Sequence, residues 1–600
     1  MSVEFRRLLT ARYCRHLQAI QSGGALVKLI PQKLAILKAV RLAVFTAVWF
    51  VAALITSCGD DQSTTLAEAP VVQTSESRPN ILLVVVDDMG YSDIGSFGGE
   101  IPTPHIDALA MAGTRFTDFQ VLPACSPTRA SLLTGREPHG VGFGSLAEEL
   151  ADNQKGRDAY AGALPVDVVT LPSLLQIAGY KTYMAGKWHL GYEAGRGPGF
   201  FGFDRSVALL DGGASHFPDM RPAYAPDPNA IARYTLDDIP VTQAPANFEY
   251  SSQFYADSLI EFIGDSPQEP FFGYLSFTAP HWPLQAPEDT IAGFEESYVS
   301  GYEQLRDQRL AAMKSMGLIA PDTPLSELPP KVRPWGELTS DEQAREAMAM
   351  AVYAAMISEI DQNLGRVIDH LTQIDALDNT VIIFFSDNGA EGHDLDETWP
   401  GDLFPKIRKV IDERFDHSTE AMGQPGSYTL YGAGWAHASA PHLKLYKGFP
   451  TEGGTRVAAF MKLPNAAGQP SLWREQVSVR DVMPTLLELA RAPVPAAVAD
   501  GLVGRSLLSV LQGKDSTPSH PTLAIEFLGK NAVRDGQWKL VRLPPPYGTG
   551  EFQLYDLSSD LGERHDVAAQ HPERVSQMRG LYQDYVARLG VVEPNWVSGY

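Results

Sequence analysis

Ile81-Leu82-Leu83-Val84-Val85-Val86-Asp87-Asp88 decides the fold. Its six consecutive apolar residues, mostly β-branched, fit a strand buried on both faces, as the strands of a parallel sheet are. Far downstream, Val381-Ile382-Ile383-Phe384-Phe385-Ser386-Asp387-Asn388 repeats the arrangement: an apolar run that ends in two oxygen-bearing side chains. Helical patterns at 106–112, 171–178, 253–263 and 342–372 alternate with strand patterns starting at 114, 181 and 270. The long pattern at 342–372 is interrupted only by Gly365. This alternation predicts an α/β fold with a mainly parallel central sheet flanked by helices.

The carboxyl ends of such strands are where ligands gather. Asp87, Asp88, Asp387 and Asn388 offer three carboxylates and an amide oxygen there, a donor set for a hard divalent cation rather than zinc or copper. Either pair alone also reads as a turn or a helix cap.

Pro123-Ala124-Cys125-Ser126-Pro127-Thr128-Arg129-Ala130-Ser131-Leu132-Leu133-Thr134-Gly135-Arg136 places one cysteine just ahead of a short apolar helix. Ser126 is positioned to cap its first turn, and the helix N-terminus favours negative charge at Cys125. A lone cysteine there also reads as a small buried residue. In Gly186-Lys187-Trp188-His189 a cation and an imidazole fall on one side of an extended segment. Ala279-Pro280-His281 sits beyond a strand, and Tyr446-Lys447-Gly448-Phe449 precedes the turn Thr451-Glu452-Gly453-Gly454-Thr455-Arg456. Taken singly, each lysine reads as a solvated charge and each histidine as a structural hydrogen-bonder. Arg136, His139, His216, His393, His437 and His442 are assigned those structural readings.

Taken together these motifs resemble the formylglycine-dependent type I sulfatases of the alkaline phosphatase superfamily. Cys-x-Pro-Thr-Arg followed by Leu-Thr-Gly-Arg is similar to that family's signature. Gly-Lys-Trp-His, Ala-Pro-His and Tyr-Lys-Gly-Phe follow in the family's order, and 276–287 and 428–436 look most like bacterial arylsulfatases. The resemblance spans about 79–590. It implies an alkaline-phosphatase-like sheet and hydrolysis of a sulfate monoester to an alcohol or phenol plus inorganic sulfate. It further implies that a maturation enzyme oxidises Cys125 to formylglycine (3-oxoalanine). Asp87, Asp88, Asp387, Asn388 and the modified Cys125 match the metal ligands, for calcium with magnesium as the alternative. Lys187 and Lys447 match groups that offset sulfuryl charge, His281 the leaving-group proton donor, His189 the acceptor of the second hydroxyl's proton, and Arg129 a residue holding the diol. The alternatives are a phosphonate or phosphate ester hydrolase of the same superfamily and a lipid-tethered binding protein whose Cys125 is never converted.

Composition bounds the rest. Of 600 residues, 72 are acidic and 48 basic, a net charge of −24 that argues against a nucleic-acid partner and demands a local basic pocket for an anionic substrate. The apolar run at 42–55 follows Lys33, Lys38 and Arg41 and fits a signal-peptide core. Ile55-Thr56-Ser57-Cys58 resembles a lipobox, which implies export and a lipid anchor at Cys58, in the periplasm or on the cell surface; a simple cleaved signal or an uncleaved anchor is the alternative reading of the run. The reading is therefore a leader at 1–58, a flexible tether at 59–78, a catalytic domain at 79–514 and a C-terminal α+β subdomain at 515–600. In the last, Asp535-Gly536 marks a hairpin and 572–589 a helix.

Overall fold

The computed structural model describes residues 78–394, 403–464, 471–514 and 522–596, with backbone alone at 403 and 404. The predicted leader, Cys58 and the tether up to residue 77 lie outside the described residues, as do the residues just after the predicted 514/515 boundary. Residues 76–600 form one compact unit. Among the described residues no helix is long and apolar enough to cross a membrane.

Eleven strands make the main sheet: β1 (Asn80–Val86), β2 (Thr114–Gln120), β3 (Lys181–Lys187), β4 (Arg205–Leu209), β5 (Tyr234–Leu236), β6 (Ile239–Val241), β7 (Phe271–Ser276), β8 (Thr380–Ser386), β9 (Arg456–Lys462), β10 (Ser471–Trp473) and β11 (Val477–Ser478). Their order is β10-β2-β9-β8-β1-β7-β3-β4-β5-β6, with β11 also on β2. The centre, β8-β1-β7-β3-β4, is parallel throughout, whereas β9 runs antiparallel between β2 and β8. Every residue of β1, β7 and β8 is buried, as their unbroken apolar runs predict. Alternate side chains of β1 serve two cores. Leu82, Val84 and Val86 pack on one face, and Ile81, Leu83 and Val85 on the other.

Helices α1 (Cys125–Thr134), α2 (Leu171–Ile177) and α5 (Val482–Leu489) contribute to one core, and α3 (Ser251–Gly264) and α4 (Ser340–Gln373) to the other. Two local expectations change. Helix α4 runs unbroken through Gly365, where a Cβ would lie 2.7 Å from the His105 ring; the glycine makes room for a neighbour rather than a break. Ser126 does not cap α1. The helix begins at Cys125, the cap position falls on Ala124, and no side chain caps it. Thr128 instead ties back the preceding loop, its Oγ1 accepting from the Leu122 N–H at 2.9 Å. The irregular stretch after Gly389 contains short helices at Leu403–Arg414 and Gly432–Ala438.

A separate antiparallel sheet of β12 (Leu523–Phe527), β13 (Lys530–Asp535), β14 (Trp538–Arg542) and β15 (Phe552–Asp556) carries α6 (Pro572–Leu589), over a small core that joins Val533, Leu540 and Leu554 to Met578, Tyr582 and Tyr585. Buried charges clamp this sheet to the main one. Glu452 Oε1 accepts from Lys539 Nζ at 2.7 Å, and its Oε2 accepts from Arg456 Nε at 2.6 Å and Arg534 Nη1 at 3.4 Å. Asp118 of β2 pairs with Arg534 and Arg456 at 2.5 and 3.3 Å. Glu452 thus anchors the turn that follows Lys447. Truncating it removes the one carboxylate that Arg456, Arg534 and Lys539 share, leaving the two arginines to Asp118 and Lys539 to Glu563, so Glu452→Ala is expected to cost about 3 kcal/mol, read as a fall in the denaturation midpoint.

Candidate active site

Parallel strands in register deliver their ends to one edge. Val86 pairs with Ser386, Val85 with Ser276, and Gly186 with Ser276. Asp87, Asp387, Lys187 and the 278–281 turn therefore leave the sheet side by side. Gly186 permits this spacing: at φ 124°, a Cβ there would fall 1.7 Å from the Ser276 carbonyl oxygen. Neighbouring side chains of a strand point to opposite faces, yet both Asp87 and Asp88 reach the site. Asp88 does so by leaving the strand at φ 68°, a left-handed conformation that aspartate tolerates better than most residues. Asn388 Nδ2 donates to Asp88 Oδ1 at 2.7 Å, locking the two strand ends together.

The cysteine arrives from another direction. Val121 N–H donates to the Thr455 carbonyl and Gly448 N–H to the Pro123 carbonyl, each at 2.8 Å, so the Cys125 loop and the Lys447 turn are stitched together. Cys125 Sγ then lies 3.2 Å from Asp87 Oδ1 and 3.9 Å from Asp88 Oδ1. Lys187 Nζ donates to Asp87 Oδ2 at 2.5 Å, and Lys447 Nζ lies 2.9 Å from Asp88 Oδ2 and 3.1 Å from Glu391 Oε2. Arg129 Nε donates to Asp387 Oδ2 at 2.8 Å, and its Nη1 to the Lys187 carbonyl at 2.9 Å and Ser276 Oγ at 2.5 Å. His281 Nδ1 bonds the Trp282 carbonyl at 2.6 Å, which fixes the proton there and turns Nε2 toward Asp88 Oδ2 at 3.7 Å.

Three expectations need restating. Lys187 and His189 do not share one side of an extended segment, because β3 ends at Lys187 and His189 turns at φ 52°. Its Nε2 faces Glu148 Oε2 at 3.7 Å, and a Cβ on Gly212 would meet its ring at 2.8 Å. Arg129 bonds Asp387, Ser276 and the Lys187 carbonyl, and it is also near enough to Cys125 for the two to interact electrostatically. The helix N-terminus does not make Cys125 acidic: burial, then Asp387 and Asp87, push its thiol well above its ordinary value, against Lys187 and Lys447.

The site fits a hard cation. Asp87, Asp88, Cys125 and His281 bring donor atoms within 4.8 Å of one another, and all are buried. Asn388 Oδ1 is buried and, among the described residues, accepts no hydrogen bond. Burial also raises Asp88, with Asp87, Glu391 and Asp387 adding to the shift against Lys447. For Asp87 burial is outweighed by Lys187, His281, Arg129 and Lys447, and the group is held low. Carboxylates crowded out of water beside an orphaned amide oxygen are what a divalent ion would relieve.

The family model for sulfatases matches residues 79–492. The chain belongs to the sulfatase family. It is 39% identical over 542 residues to an uncharacterized sulfatase of Schizosaccharomyces pombe, covering 87% of this chain and 95% of that one. It is 37% identical over 420 residues to an arylsulfatase of Klebsiella aerogenes, covering 69% of this chain and 87% of that one. Among solved structures, Ps i-CgsB in complex with k-i-k-neocarrahexaose superimposes with a TM-score of 0.60 at 24% identity, over 87% of this chain and 95% of that one, which shows the shared fold. This sulfatase is an enzyme that hydrolyses sulfate esters.

The site of the sulfatase also contains Glu391 and Tyr224, which local sequence reading did not single out, and His393 and His216, which it read as structural. Glu391 and His393 bond at 2.7 Å and back up Lys447. Tyr224 lies close enough to Cys125, Asp87 and Lys447 to be perturbed by them, and its hydroxyl would meet a Cβ on Gly212 at 2.2 Å. His216 holds the His281 carbonyl at 3.0 Å. None stands in a motif; only the proximity of His393 to the Asp387-Asn388 strand end offered a hint. A metal test follows from the geometry. Chelation is expected to lower the melting temperature and a divalent cation to restore it, worth about 2.7 kcal/mol at a hundredfold excess over Kd. Asp88→Asn should abolish that metal-dependent shift in a thermal melt.

Proposed function

We propose that this sulfatase is of the arylsulfatase type, with Cys125 converted to formylglycine and calcium held by Asp87, Asp88, Asp387, Asn388 and the modified Cys125. The observation that carries the reading is Cys125 Sγ buried 3.2 Å from Asp87, where burial, Asp387 and Asp87 push an unmodified thiol upward. A protonated thiol is a poor nucleophile. The named arylsulfatase relative supports the substrate class. Because Cys125 is 2% exposed, conversion by a separate maturation enzyme has to precede folding.

When present, the cation and the hydrated aldehyde would supply a Lewis acid and an oxygen nucleophile with a second hydroxyl. The chain's own residues do the rest. Lys187 and Lys447 donate to the sulfuryl oxygens, in a water-poor site where such donors act strongly. His281 Nε2, aimed inward by its Nδ1 bond to Trp282, handles the proton at the ester oxygen. Arg129 is a positioning residue that holds Asp387 and the Lys187 backbone. His189, beside Glu148, takes the proton released as sulfate departs. We further propose export and lipid anchoring at Cys58, tested by whether Cys58→Ala releases the protein from the membrane fraction.

Mass spectrometry of the Cys125 peptide should show the aldehyde in active preparations; turnover by protein carrying only thiol overturns the reading. In His281→Ala, hydrolysis of esters with strongly basic leaving groups is expected to fall about 10²–10⁴-fold, the usual worth of a general acid. Nitrophenyl sulfate, whose leaving group needs little protonation, should lose far less; equal losses would remove His281 from that role.

A further inference from the structure

Near the turn that carries Lys447, one buried cation makes no hydrogen bond among the described residues. Lys530 opens β13 directly after a tight turn at Leu528 (φ 51°) and Gly529 (φ 79°). It is 1% exposed, and among the described residues its Nζ makes no hydrogen bond. The ammonium sits 5.0 Å from the centroid of the Phe449 ring. Phe449 is two residues beyond Lys447 and stacks on His393, with centroids 5.5 Å apart, and His393 bonds the Glu391 that pairs with Lys447. A second orphan lies alongside: Glu149 Oε2 is buried without a hydrogen-bond partner among the described residues. Glu149 is near enough to Lys530, Lys447 and Glu391 for their charges to act on it. Its neighbour Glu148 faces His189. The segments 147–149, 447–449 and 528–530 therefore lie within electrostatic reach of one another.

The other buried lysines of the region, Lys187, Lys447 and Lys539, are each paired with carboxylates. A lysine retained only for folding would be paired too, since an unpaired buried charge is costly. Burial and the neighbouring Glu148 push the Glu149 carboxyl well up, against Lys530 and Lys447, which favours the O–H form that can donate to an anion. Burial brings Lys530 down to about 7, against Glu149 and Glu526, so an arriving anion would draw the proton onto it.

We infer that Lys530 and Glu149, with the Phe449 ring, form a subsite for the organic half of the ester, and that this half carries a second anionic group, a carboxylate or another sulfate. The inference deepens the sulfatase reading and rests on it for the placement of the ester. The chain's net charge of −24 makes such a local cation the means of holding a doubly anionic substrate.

The test compares 4-sulfooxybenzoate with its neutral carboxamide. Wild-type kcat/KM is expected to favour the carboxylate by at least about tenfold, the order of one charge-assisted hydrogen bond. Lys530→Met should erase that preference and leave the carboxamide within about twofold. Equal wild-type values, a preference for the carboxamide, or parallel loss of both substrates in Lys530→Met overturns the inference. Lys530→Gln, with melting temperature measured, serves if the methionine variant fails to fold. Calorimetry with 4-hydroxybenzoate reads the subsite without turnover: binding is expected to wild type and to be weakened roughly tenfold or more in the variant. Wild type that hydrolyses no sulfate ester yet binds 4-hydroxybenzoate through Lys530 would sink the activity reading and keep the subsite; failure to bind would sink the subsite.

Discussion

Carboxylates held together out of water are the constraint on which this structure is built. Asp87, Asp88 and Asp387 are all buried at one edge of a sheet, and Glu391 stands just behind. Ions taken out of water lose several kcal/mol of hydration each unless oppositely charged groups replace it. Lys187, Lys447 and Arg129 supply that replacement from three directions. The anions outnumber the cations, and Asp88, pushed up by burial and by its acidic neighbours, registers the surplus. The surplus is what makes the site receptive to a divalent ion, and the cations that remain are what make it receptive to a sulfate.

Those charges come from several separate pieces of chain, Asp87 with Asp88 from one and Asp387 with Glu391 from another, so the site depends on the fold as a whole. Parallel registry aligns β1, β3, β7 and β8 at their carboxyl ends. Backbone bonds between the Cys125 loop and the Lys447 turn add a helix from one core and a turn preceding β9. The Lys447 turn is itself pinned by Glu452, which reaches cations on β9, β13 and β14. The small C-terminal sheet is thereby part of the catalytic framework: it braces one active-site lysine and presents Lys530 near the same turn.

The apolar runs of β1 and β8 were legible because burial on both faces leaves only one kind of residue along them, and no distant information is needed to see it. The Asp535-Gly536 hairpin and the terminal helix at 572–589 were legible for the same reason, since turn chemistry and helical periodicity are local. The short strands β4, β5 and β6 carry too few residues to announce themselves. Ser126 misled because capping depends on where the helix begins, and that start is set by the tie from Thr128 to Leu122. Glu391, His393, Tyr224 and Lys530 stand in no motif; they matter through what folds against them.

The amino-acid order by itself determined the sheet's central strands, the donor types at their ends and the motifs that mark a sulfatase. Tertiary structure alone decided which donors face one another. Asp88 and His189 turn into place through left-handed backbone angles that no local pattern records, and Arg129 spends its guanidinium on Asp387 because both are enclosed together. The acidity of Cys125 was likewise a property of the assembled site, since burial and two carboxylates from distant strands outweigh the helix end on which the residue sits. Short-range chemistry chooses elements, whereas electrostatics in a dry interior sums over everything packed around it.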